Sequence, residues 1–143
     1  MEWIMHAAFS YLSSLGFGVI INVPRRALNA CGFIGMLGWL TYLVIKNLEA
    51  GAMLANLGAA LAIGLCSIFM ARWQKIPTIL FNIPSLVPLV PGGQAYQAVR
   101  YFALNDNTVA LRYVVQVAMI AGAIAMGFFL AELLGQAYYR MKS

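Results

Sequence analysis

Apolar residues run through this chain in long unbroken stretches, about 3–21, 27–45, 52–71 and 110–138, and charge gathers where the stretches stop. Each of the first three is close to the roughly 20 apolar residues that carry a helix across a bilayer. The last exceeds one crossing and predicts a helix that tilts or projects beyond the lipid. Between Arg72 and Asn105 the pattern changes. The segment I-P-T-I-L-F-N-I-P-S-L-V-P-L-V-P-G-G-Q-A-Y-Q-A-V-R-Y-F-A-L is long and apolar enough to cross, over about 77–104, yet it cannot form one regular helix. The pattern predicts an all-α integral membrane protein with short loops and a single polytopic domain over 1–143. It has about five transmembrane helices, the fourth broken by proline and glycine. The alternative is four spans plus a segment that enters and leaves by the same face.

Charge placement arbitrates between the two. With five spans, Arg25, Arg26, Arg72, Lys75, Arg140 and Lys142 fall on one side, and Glu2, Lys46, Glu49, Asp106 and Arg112 on the other. Basic residues collect on the cytoplasmic face, so this arrangement puts the N-terminus outside and the C-terminus inside. A non-crossing fourth segment moves Arg140 and Lys142 outside and weakens the bias. Five spans is the better reading.

Composition agrees. Of 143 residues, 63% are hydrophobic and 9% charged, against about 25% charged in soluble domains. The opening M-E-W-I-M-H lacks the basic region and cleavage site of a signal peptide and reads as mature structure. The net charge of +5 sits at span ends, which is topology information rather than a nucleic-acid footprint. Cys31 and Cys66 lie inside apolar runs and read as small buried hydrophobes rather than a disulfide. His6 is the only histidine, which leaves no histidine-rich metal site or bis-histidine haem, and no cofactor is expected. No Walker run, H-E-x-x-H or Ser–His constellation is present, so no catalytic residue is assigned and an enzyme is not expected.

Small residues recur at helical spacing. Ala123, Gly127, Ala131 and Gly135 form one ridge, and Gly32, Gly35 and Gly38 another. Such ridges let membrane helices approach closely, within the chain or against a second subunit in a homo- or hetero-oligomer.

The broken segment carries the candidate chemistry. Proline has no N–H for the carbonyl four residues earlier, so Pro84 frees the carbonyl of Leu80, Pro88 that of Pro84, and Pro91 that of Val87. Irregular backbone at membrane depth survives only inside protein or along a wet cavity. Gly92 and Gly93 restart the chain, and a helix from Gln94 would present free N–H donors at its positive end. Unwound carbonyls suit an ammonium, and the helix N-terminus suits a carboxylate. A small zwitterion satisfies both. Asn82, Ser85 and Gln94 add polar arms, Tyr96 and Arg100 share a helical face with Gly93, and Arg100 would pair a carboxylate. The plain alternative is a kinked helix packed without ligand. I-I-N-V-P (20–24) echoes L-F-N-I-P (80–84), a slight hint of an internal repeat. Glu132, deep in the last run, reads either as a proton-coupling carboxylate or as the partner of a cation near the cytoplasmic end.

N-V-P-R-R-A-L, the G-x-x-G-x-x-G-W run from Gly32 to Trp39, and I-P-S-L-V-P-L-V-P-G-G-x-A-Y (83–96) together resemble the threonine/serine exporter family, and more narrowly the small subunit of its split, two-component form. The likeness covers most of the chain, and the P-x-x-P-L-V-P-G run is its most specific part. It implies a secondary exporter in the bacterial cytoplasmic (inner) membrane, driven by the proton motive force and completed by a larger membrane subunit. The implied substrate is threonine or serine, with succinate or another dicarboxylate as the alternative. Pro84, Ser85, Pro88, Pro91, Gly92, Gly93 and Tyr96 carry over on this match, and substrate contact by them is inferred from backbone physics. A non-transporting assembly subunit is the remaining possibility.

Overall fold

The computed structural model describes residues 2–49 and 51–142. Every described element is helical: α1 (Glu2–Ile20), α2 (Arg25–Asn47), α3 (Ala52–Gln74), α4 (Ile79–Leu86), α5 (Gly92–Ala103) and α6 (Asn107–Lys142), with a 3-10 turn at Val87–Leu89. Four helices, α1, α2, α3 and α6, are long and apolar enough to cross a membrane.

Left-handed residues end three helices sharply. Asn22, Lys75 and Asn105 have φ of 66°, 57° and 63°. In each case the next N–H reaches back to the carbonyl five residues earlier: Val23 to Gly18, Ile76 to Ala71, and Asp106 to Tyr101. This closure satisfies carbonyls that a helix end otherwise leaves orphaned. Val23 and Ile76 are then buried under the turns. Asp106 accepts from the N–H of Val109 and so caps α6, folding α5 back on it. Asn82 instead lies within helix α4, so the echo between residues 20–24 and 80–84 is not a structural repeat.

Glycine sets the packing. A methyl group on Gly32 would meet the Tyr11 ring at 2.6 Å. Gly35 receives Ser14 of α1 and the backbone of Ser85 in α4, and Gly38 receives Ile63 of α3. One three-residue spacing on α2 thus admits three different neighbours. On α6, a methyl on Gly127 would lie 2.6 Å from the Leu57 carbonyl oxygen and 3.1 Å from the Leu61 nitrogen. Ala131 fills the space above Gly64, and Gly135 takes the Ile68 side chain at 2.8 Å. Both ridges are therefore occupied inside the chain, and any contact with a second subunit must use other surfaces.

These pairings advance together along α3 and α6, so the two helices run parallel. Segment 75–106 returns the chain to the end of the bundle where α3 began. The ends of α3 and α6 lie together, with Arg72 against Tyr139, and the start of α2 meets the end of α3 where Arg26 and Gln74 share one groove. At 36 residues, α6 is about 54 Å long at the usual rise per residue. Its first turns extend past the start of α3, and α5 packs on that extension through buried Ala98 and Ala110 and a Tyr101–Tyr113 stack at 5.7 Å.

Candidate functional site

Helix α4 enters the bundle beside α2 and runs in the same direction. Pro84 is fully buried and packs toward Gly18 of α1, 3.8 Å from where that glycine's Cβ would be. Its missing N–H leaves the Leu80 carbonyl without its helical donor. The thiol of Cys31 supplies one instead, donating to Leu80 O at 3.3 Å. In return the hydroxyl of Ser85 donates to Cys31 O at 3.2 Å. The Pro84 carbonyl accepts from Val87 N–H, and the Val87 carbonyl from Val90 N–H at 3.3 Å. All three carbonyls expected to stand free therefore have donors, because the chain tightens into a 3-10 turn and borrows one thiol. The break is built mainly to be satisfied internally.

Beyond the turn the backbone opens. Val90 is extended, Pro91 precedes α5, and no side chain caps that helix start. Here α2, α3, the turn and α6 enclose a cavity of ≈ 150 Å³ lined by Trp39, Tyr42, Asn56, Pro88, Leu89, Val90, Pro91, Gln94 and Ile120. That exceeds the roughly 10–15 Å³ one water needs and falls short of the roughly 300 Å³ of drug-sized sites. Its polar groups are neutral: an indole N–H, a phenol and two amides. Trp39 and Tyr42 stack at 4.9 Å, and the Trp39 indole donates to Nδ1 of His6 at 3.2 Å. Lys46 Nζ sits 5.8 Å from the Tyr42 ring centre and is not part of the lining. Asn56 is only 4% exposed, a buried amide at the cavity wall.

Of the residues singled out by sequence, Pro88, Pro91 and Gln94 line this cavity. Pro84 and Ser85 lie deeper, in contacts with α1 and α2. The Asn82 amide oxygen is buried without a hydrogen-bond partner, away from the cavity. Gly92 and Gly93 are exposed, and nothing lies within 4 Å of where their Cβ atoms would be. Tyr96 and Arg100 are exposed on α5, Arg100 donating to Gln97 at 3.3 Å. Glu132 is exposed on α6, remote from the cavity lining. Trp39, Tyr42 and Asn56 are the aromatic and polar wall residues that sequence reasoning did not assign. The visible signals were a lone asparagine in the third apolar run and two aromatics three residues apart in the second.

A family model for threonine/serine exporters (ThrE) matches residues 6–134, nearly the whole chain. The chain belongs to the threonine/serine exporter family. This is a family of transporters rather than enzymes, and with the four apolar helices it points to a multi-pass membrane protein. A curated relative, an uncharacterized protein of Haemophilus influenzae, is 25% identical over 142 residues, covering 94% of this chain and 47% of the relative. The chain thus spans about half the length of the curated relative it matches. No solved structure matches it.

Proposed function

We propose that this chain is one half of a two-part secondary exporter that moves threonine or serine outward across the bacterial cytoplasmic membrane. A larger membrane subunit supplies the other half, and the proton motive force drives export. The uncovered half of the Haemophilus influenzae relative supports the second subunit. In this reading residues 1–143 form one membrane domain with five crossings, N-terminus outside and C-terminus inside, since six of the basic residues gather at one end of the bundle.

The observation that carries the reading is the cavity at 88–94, small, polar and without a charged side chain. A zwitterion suits it better than a dianion. Its carboxylate would meet the uncapped start of α5, its ammonium the Tyr42 and Asn56 oxygens, and its side chain the Trp39 face. A dicarboxylate would want a cation, and Arg100 is outside the lining. Proteoliposomes holding this chain with its larger subunit should release labelled threonine or serine under an imposed proton gradient. Asn56→Ala should cut release tenfold or more, and Arg100→Gln should leave threonine export near wild type. Absence of release for threonine and serine alike would refute the exporter reading in favour of an assembly role. Loss of succinate release on Arg100→Gln would favour the dicarboxylate.

A further inference from the structure

Where α3 and α6 end together, a basic cluster stands at the head of an apolar groove. The Arg72 guanidinium lies 3.6 Å from the Tyr139 ring centre, a cation–π contact that holds its planar fork in place. Arg72, Gln136, Tyr139 and Arg140 line a cavity of ≈ 470 Å³. Tyr139 also closes a second cavity, ≈ 430 Å³, between α3 and α6, with walls from Leu65, Ile68, Phe69, Leu134 and Tyr138. Gly135 forms part of this wall, packed against Ile68. Among the described residues, no acidic side chain lines either space.

We propose that the two spaces form one binding site for an anionic phospholipid. Arg72 and Arg140 receive the phosphate, Gln136 and the Tyr139 phenol complete the headgroup contacts, and one acyl chain lies along Leu65, Phe69 and Leu134. Guanidinium groups match phosphate oxygens in paired hydrogen bonds, and basic pockets between membrane helices recognise anionic headgroups. From Leu65 to Arg72 the groove follows α3 for about 10 Å, enough for the upper part of an acyl chain. Charge complementarity favours an anionic lipid over a neutral one, and the adjoining groove favours a lipid over a free phosphate. This inference is independent of which solute the protein exports.

Native mass spectrometry of the folded chain in detergent tests it, with phosphatidylglycerol, phosphatidylcholine of the same acyl chains, and glycerol 3-phosphate as probes. Phosphatidylglycerol should be retained at least tenfold more tightly than phosphatidylcholine. Arg72→Gln and Arg140→Gln should each reduce that preference about fivefold, and Arg72→Lys should recover most of it. Arg25→Gln with Arg26→Gln, at the same end but outside the groove, should leave the preference intact. Equal retention of the two lipids would overturn the site. So would an equal loss in the Arg25/Arg26 variant, or glycerol 3-phosphate binding as tightly as the lipid. A dimer that dissociates in the Arg72 and Arg140 variants while lipid binding stays unchanged would assign the groove to a second protein copy instead.

Discussion

Along the seam of α3 and α6, glycine and alanine bring two long helices almost into backbone contact, while segment 79–91 meets its neighbours through prolines and borrowed donors. Around Gly64, Gly127 and Ala131 the seam is closely packed, and both helices run through it unbroken. The broken segment gives up that regularity, recovers its hydrogen bonds from Cys31 and from a 3-10 turn, and leaves a polar cavity at its far end. The contrast teaches that glycine has two roles in this fold. Gly127 is required because another backbone occupies the space of a side chain. Gly92 and Gly93 face open space, so packing does not explain them.

The largest effect is expected at the seam. Gly127→Leu drives a branched side chain into Leu57 O and Leu61 N, and should cost about 3 kcal/mol or more by forcing the helices apart. Thermal unfolding in detergent reads this directly, and a stability near wild type would contradict the parallel seam. Next comes the borrowed donor. Cys31→Ala leaves the part-buried Leu80 carbonyl without this donor and should cost about 1–3 kcal/mol. Cys31→Ser keeps a hydroxyl donor and should cost less. If serine and alanine behave alike, the thiol bond does not hold the break.

Smaller effects sharpen the contrast from the other side. Gly93→Ala should be neutral or stabilising by up to about 1 kcal/mol, since alanine is the better helix former and the space is open. A marked loss of stability there would mean that the start of α5 is packed rather than open. Lys75→Gly relieves a left-handed lysine and should stabilise by about 1 kcal/mol, visible as a modest rise in Tm.

Much of the helical architecture was legible because hydropathy and length are local signals. The runs around 3–21, 27–45, 52–71 and 110–138 coincide with α1, α2, α3 and α6, and the projection of α6 follows from its excess length. The interruption was legible too, since proline and Gly-Gly act on their own neighbours. What the break is bonded to was not, because Cys31 and Leu80 are 49 positions apart and meet only after folding. For the same reason Trp39, Tyr42 and Asn56 stood in the sequence as ordinary span residues. Ser85 offered the opposite lesson: a polar side chain within the proline run turned out to be a structural donor to α2 rather than a cavity group. Nor do periodic glycines state what faces them, and the α6 ridge met α3 of its own chain.

The central claim is that the broken segment borders a wet, substrate-sized cavity while the α3–α6 seam around Gly64 and Ala131 is closely packed. It is tested most directly by thiol accessibility in a Cys31→Ser, Cys66→Ala background, with the chain assembled in membranes. Gln94→Cys should react with a charged, water-soluble thiol reagent and be slowed at least severalfold by threonine, whereas Ala131→Cys should stay inert. An inert Gln94→Cys, or one whose labelling threonine does not change, would contradict the account.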